Sequence, residues 1–234
     1  MNVARFLIVT AFSILSGGAI AAPSVFHLDA AITQLGVTVA GQTTLLDDYD
    51  FHGLHFALGD RLDGQVAYGP GSSMSDSNGT SDSILIYTNA LQSIVLNVPS
   101  AHFSTRDIGF NSGLIAVSDN LHNYDGITFT EFGPGFTTAS VYFDDETGKA
   151  LNDFSLPAEF DASDFSYGFA EFSLVDVPTG DRLFVSARIS TAAFDTPVPE
   201  PSAPAMAATA LLLMAATRRR RSTPAQDSAT LQNL

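Results

Sequence analysis

Cysteine is absent from the 234 residues, and so is tryptophan. The first absence excludes disulfides, thiolate metal ligands and cysteine nucleophiles together. The second removes the aromatic side chain with the largest face for stacking on a sugar. Cations are scarce through most of the chain. Residues 22–197 hold 23 Asp and Glu against five basic residues, Arg61, Arg106, Lys149, Arg182 and Arg188. The net charge of −18 over that stretch argues against nucleic acid and anionic membranes as partners of the domain. Also missing are Gly-x-Ser-x-Gly, His-Glu-x-x-His and a phosphate-cradling Gly-Lys-Ser/Thr sequence. Carboxylates are so abundant that a pair at glycosidase spacing carries no weight, and they read as a solvated acidic surface. No enzymatic mechanism is legible.

What is present begins with an export signal. Arg5 and the terminal amine precede a largely apolar run, residues 6–15, which Ser16-Gly17-Gly18 interrupts. Ala19-Ile20-Ala21 then places small residues where a signal peptidase reads them, so cleavage is expected between Ala21 and Ala22. Residues 22–197 follow as one domain, long enough for a sizeable core. Without disulfides, its stability rests on that core.

The domain reads as all-β. Runs rich in Val, Ile, Thr, Phe and Tyr recur between Gly, Pro, Asn and Asp clusters. The expected strands are 34–40, 51–58, 83–88, 93–98, 114–118, 127–132, 137–143, 168–175 and 182–194. In the last, Leu183, Val185, Ala187 and Ile189 face one way while Ser186, Arg188 and Ser190 face the other. Residues 177–181, with Pro178 and Gly180, form a tight turn pairing 168–175 with 182–194. A weak helical period occupies 24–35, and the Gly/Ser/Asp-rich stretch 69–83 reads as a long mobile loop. About nine strands without a crossover helix predict an antiparallel β-sandwich of jelly-roll type.

Three places concentrate possible ligands. On a single strand, Asp48, Asp50 and His52 would share a face, with His55 on the other; this matches no standard metal spacing. Residues 76–82, Asp119-Asn120 with Asp125, and Asp144-Asp145-Glu146 offer hard oxygens to calcium, at the weak affinities of extracellular modules, about 10⁻⁴–10⁻³ M. None matches the EF-hand loop, and each is also ordinary turn chemistry. No metal site and no cofactor are expected, calcium being the one cation with a plausible place. For sugars, the six tyrosines (Tyr49, Tyr68, Tyr87, Tyr124, Tyr142 and Tyr167) are available but scattered.

The C-terminal block has three ordered parts. Val198, Pro199, Glu200, Pro201 and Ser202 form extended chain, because each proline fixes φ and restrains the residue before it. Residues 205–216 are uncharged and alanine-rich, and a helix over 205–217 would span roughly 20 Å. Arg218, Arg219, Arg220 and Arg221 close the block as a stop signal on the cytoplasmic side. The apolar part is short against a hydrocarbon core of about 30 Å, which snorkelling arginines and local thinning accommodate.

This order resembles the PEP-CTERM sorting signal. The resemblance covers about 25 residues and implies processing by exosortase, a membrane transpeptidase of Gram-negative bacteria that also make exopolysaccharide. It carries nothing over to the domain in front. Family members usually end soon after the arginines, whereas residues 222–234 add a polar tail here. The chain therefore divides into signal peptide (1–21), exported all-β domain (22–197), sorting and anchor signal (198–221) and polar tail (222–234). It is expected to be anchored in the inner membrane with a periplasmic domain, then moved to the cell surface or extracellular matrix. The expected role is a non-enzymatic surface or biofilm-matrix protein. A carbohydrate-binding module for the exopolysaccharide is the alternative, and a secreted hydrolase the third.

Overall fold

The strand β1 (Ser24–Val39) runs through the middle of the domain and pairs on both sides. The computed structural model describes residues 23–75, 84–119 and 124–195. After β1 come β2 (Gln42–Leu46), β3 (Asp48–Phe51), β4 (Leu54–Ala57), β5 (Arg61–Tyr68) and β6 (Ser72–Ser75). Next are β7 (Ile84–Thr88), β8 (Leu91–Val98), the short β9 (Phe103–Ser104) and β10 (Ser112–Ser118). The series ends with β11 (Asp125–Phe132), β12 (Thr138–Asp145), β13 (Tyr167–Val175) and β14 (Arg182–Phe194). All but two belong to one antiparallel sheet, ordered β6-β7-β10-β11-β12-β13-β14-β1-β5-β8-β9 with β2 added beside β1; β3 and β4 form a separate hairpin. The all-β expectation holds.

Segment 24–35 corrects the helical reading: it is strand. Phe26, Leu28, Ala30 and Ile32 are buried with period 2, then Thr33 and Gln34 are both exposed, and Leu35 resumes the inward face. The register with β14 slips between Ile32 and Gln34, so Thr33 is the extra residue of a β-bulge. A phase slip in an alternating pattern spaces Leu28, Ile32 and Leu35 by four and three, which is how a helix spaces its apolar face.

Two further expectations change. Residues 51–58 do not form one strand, because His52 (φ 52°) and Gly53 (φ 82°) make a two-residue hairpin turn between β3 and β4. Part of the expected loop 69–83 is strand: β6 pairs with β7, while residues 76–83 lie outside the described residues.

β6 matters because it continues β5. β5 pairs with β8 up to Tyr68–Leu91, the Gly69 amide donates to the Ala90 carbonyl at 2.9 Å, and the ladder resumes at Ser72–Thr88. Residues 61–75 and 84–98 are thus the two arms of one long hairpin with a corner at Gly69-Pro70-Gly71 and Ala90. Its outer half lies beside β10 and its inner half beside β1, near opposite ends of the strand order. The sheet therefore curls, and β8 lies against β10, β11 and β12 without sharing their ladders.

Between these layers sits an aromatic core. Phe26 makes edge-to-face contacts with Phe129 (5.5 Å), Phe143 (5.9 Å) and Phe160 (5.6 Å). At the other end Phe103 stacks on Phe172 at 4.7 Å, with Phe56 across both. Such pairs add about 0.5–1.5 kcal/mol each beyond the area they bury. The turn at 177–181 forms as expected, with Val175 opposite Arg182 and Gly180 at φ 76°.

Candidate functional site

The sorting residues Val198 to Ser202, the arginines 218–221, the apolar run 205–216 and the cleavage pair Ala21-Ala22 all lie outside the described residues. The described chain ends beside its own beginning. The Asp195 amide donates to the Val25 carbonyl at 2.9 Å, and the Asp195 carboxylate lies 3.1 Å from His27 Nε2.

The hairpin turn separates the residues of the His/Asp stretch. Asp50 and His55 face each other across β3 and β4, 3.1 Å apart through Nδ1, while His52 sits in the turn with Nε2 3.7 Å from Asp176. Asp48 pairs with Ala57. Among the described residues no three His, Asp or Glu side chains gather as a metal would need.

The carboxylates are not all surface. Asp125, Asp144, Asp145 and Glu131 are buried. Both oxygens of Asp145 are occupied: Oδ1 accepts from the Thr147 amide (3.1 Å) and the Ser166 hydroxyl (2.9 Å). Oδ2 accepts from the Thr147 hydroxyl (2.7 Å) and the amides of Lys149 (2.9 Å) and Ala150 (3.2 Å). These donors hold its pKa far below the usual carboxylate range, the Lys149 amide contributing most. Asp125 accepts from the Leu151 amide at 2.8 Å. Burial pushes Asp144 the other way, upward, against the lowering effect of a hydrogen bond from Tyr124. Burial also raises Glu131, which faces inward and bonds the backbone at Ile94. Asp119 is raised by desolvation and by Asp125 and Asp153 nearby. The calcium-type residues 76–82 and Asn120 lie outside the described residues, and Asp144 and Asp145 are engaged by the protein itself.

Cross-strand register brings together side chains that are far apart in the chain. Ala116, Thr128, Tyr142, Phe169 and Arg188 stand opposite one another on successive strands β10 to β14, as do Ser118, Gly126, Asp144 and Tyr167 on β10 to β13. Their neighbours Val141, Phe143 and Ala170 are buried in the core, so these rows form the outer face. There the Tyr142 and Phe169 rings lie nearly parallel with centres 5.6 Å apart, and Tyr167 meets Phe169 edge-on at 5.8 Å. The Tyr142 hydroxyl donates to Glu171 Oε1 (2.9 Å), which also accepts from Ser186 (2.8 Å). Tyr124 bonds both Asp144 and Tyr167, and its ring lies over Gly126, where a Cβ would come within 2.9 Å of the Asp144 carboxylate. Burial, then these acidic partners, raise the pKa of Tyr124 and Tyr142, so both hydroxyls stay protonated donors.

Beside this face, between residues 161–166 and the last part of β14, lies a cleft of about 320 Å³ that Tyr167 and Arg188 also line. A second cavity, of about 380 Å³, opens at the hairpin corner. Here Tyr68 donates to the carbonyls of Pro157 (2.9 Å) and Ala158 (3.1 Å), and Tyr87 donates to that of Phe154 (2.8 Å). The two tyrosines fasten the long segment between β12 and β13 over the corner. Three of the six tyrosines, Tyr124, Tyr142 and Tyr167, thus form one cluster. No signal local to the sequence announces it, because it depends on the register of three strands.

No family model matches this chain, and no curated protein or solved structure is found to be similar to it.

Proposed function

We propose that this chain is an exported, envelope-anchored surface or matrix protein, with a non-enzymatic all-β domain held through a PEP-CTERM-type tail. The observation that carries the reading is the order of the tail: Val198-Pro199-Glu200-Pro201-Ser202, an uncharged run, then Arg218 to Arg221. A proline-stiffened segment offers an extended backbone to a transpeptidase, and the arginines resist passage through the bilayer. The fold is compatible with display on a tether. We read the curled sheet as a β-sandwich whose hairpin, bent across the corner, is its jelly-roll-like element. Its buried carboxylates Asp125 and Asp145 serve as acceptors that fix loops. Signal peptidase and exosortase are the processing partners, and the domain passes from the inner membrane to the surface or matrix.

The test is to follow the tagged chain in a Gram-negative host that carries exosortase. The expected wild-type product is envelope-bound, begins at Ala22 and is shortened at the tail. Changing Pro199, Glu200 and Pro201 to Ala should leave uncut precursor in the membrane, because the apolar run and arginines remain. Changing Arg218 to Arg221 to Ser should release unprocessed precursor, since each arginine resists the bilayer centre by about 2.5–3.5 kcal/mol. Normal processing of the proline-glutamate variant would overturn the sorting reading.

A further inference from the structure

The cleft beside the outer aromatic face is built from unlike parts that converge. On one wall Asp161 accepts both the amide (2.8 Å) and the hydroxyl (2.7 Å) of Ser163. With its proton committed, the Ser163 oxygen presents lone pairs outward as an acceptor. On the other wall β13 stops pairing at Phe169–Arg188, so β14 beyond Arg188 pairs only with β1. Its free backbone edge therefore borders the cleft. The register of β14 with β1 slips at this point, from Thr191–Asp29 to Ile189–Ala30, leaving Ser190 as a bulged residue whose hydroxyl donates to the Asp29 carbonyl (3.0 Å). Bulges of this kind re-aim side chains next to sites. Tyr167 joins the two walls and continues into Phe169 and Tyr142, while exposed Arg188 lies opposite Phe169 and forms no ion pair among the described residues.

Aromatic rings beside fixed hydroxyls, one carboxylate and one guanidinium match the two chemistries of a pyranose. Its C–H face packs on a ring, and its hydroxyls both give and take hydrogen bonds. A volume of about 320 Å³ is at the small end for ligand sites and admits a short stretch of a chain. The Ser163 and Ser190 hydroxyls are already oriented by their own partners, which lowers the entropy lost on binding. Charge selects among sugars. Asp161 lines the cleft and Glu171 flanks the rings, so the single guanidinium of Arg188 is outnumbered, and with residues 22–197 at −18 a uronate-bearing chain is repelled.

We propose that this cleft and the adjoining Tyr167–Phe169–Tyr142 face bind a neutral polysaccharide chain. The two proposals fail separately: failure of tail processing leaves sugar binding in place, and loss of sugar binding leaves processing in place. The full chain, purified in detergent, is titrated calorimetrically with cellohexaose, laminarihexaose and mannohexaose, and with an oligogalacturonate of the same length. Saturable binding of at least one neutral hexasaccharide is expected. Tyr167→Ala and Arg188→Ala should each weaken it, by about five- to tenfold, while Phe136→Ala at the opposite end of the strands leaves it unchanged. Arg188 is exposed, so its variant decides the matter if Tyr167→Ala fails to fold. Binding of the acidic oligomer alone, binding of none, or equal affinity in wild type and Arg188→Ala would each overturn the proposal.

Discussion

Asp144 and Asp145 are neighbours at the end of β12, both buried, yet their surroundings act in opposite directions. Asp145 receives five hydrogen bonds and is stabilised as a carboxylate; Asp144 loses more to desolvation than Tyr124 returns. A carboxyl whose folded pKa is depressed contributes stability above its unfolded value, near 3.9, and that contribution disappears as pH falls toward the folded value. One whose folded pKa is raised contributes the reverse: the charged form is penalised once pH exceeds the unfolded value. Asp145→Asn is therefore expected to cost about 2–3 kcal/mol at neutral pH, and the gap from wild type should shrink below about pH 4. Asp144→Asn should be neutral or stabilising at neutral pH, with its difference also fading in acid. Urea unfolding of both variants at pH 7 and pH 3 checks the pair; equal losses at pH 7 would show that burial does not separate these two residues.

Among the elements, the hairpin corner joining β5–β8 to β6–β7 is the most demanding. A Cβ placed on Gly71 would lie 2.5 Å from the Ala90 Cβ and 2.8 Å from the Ala90 Cα and amide nitrogen. Backbone cannot move aside as a long side chain can, so the arms must separate or the strands shift. Gly71→Ala should cost about 1–3 kcal/mol, in the range of overpacked sites. Gly69→Ala, two residues away, meets only the amide end of Gln92 at 3.2 Å and should cost clearly less. Thermal unfolding of the two variants compares them directly, and a milder effect at Gly71 than at Gly69 would contradict the close packing of the corner. β5 itself shows why such elements escape a reading by composition. Its alternation is regular, with Leu62, Gly64, Val66 and Tyr68 inward, but Asp63, Gly64 and Ala67 are poor strand formers. Packing settles the matter, since Leu96 from β8 fills the space that Gly64 leaves.

At the scale of the molecule, charge and core oppose each other. The aromatic clusters around Phe26 and Phe172 draw the layers together, while residues 22–197 repel themselves with a net −18. Salt screens that repulsion over a Debye length that shortens from about 30 Å at 0.01 M to about 8 Å at 0.15 M. The unfolding midpoint at pH 7 is expected to rise over this range of sodium chloride. A midpoint that falls would mean that favourable ion pairs, such as Arg61 with Asp29, outweigh the repulsion.

Composition and local order determined the class of this chain by themselves. Period-2 runs between turn residues specify antiparallel strands, and the turn at 177–181 specifies which two strands become β13 and β14. The export signal and sorting tail proposed for the two ends rest on the order of residues along the chain alone. Everything that depends on register was decided in three dimensions. The bulge at Thr33 made a strand resemble a helix, and the His52-Gly53 turn brought Asp50 and His55 face to face. Pairing of β12 with β13 placed Tyr142 beside Phe169. Burial of Asp144 and Asp145 could not be read either, because an aspartate in the sequence carries no record of how many donors the fold will bring to it. Four of the five donors to Asp145 come from Thr147, Lys149 and Ala150 just after it. The fifth, the Ser166 hydroxyl, lies 21 positions away at the far end of a segment that Tyr68 and Tyr87 fasten across the corner.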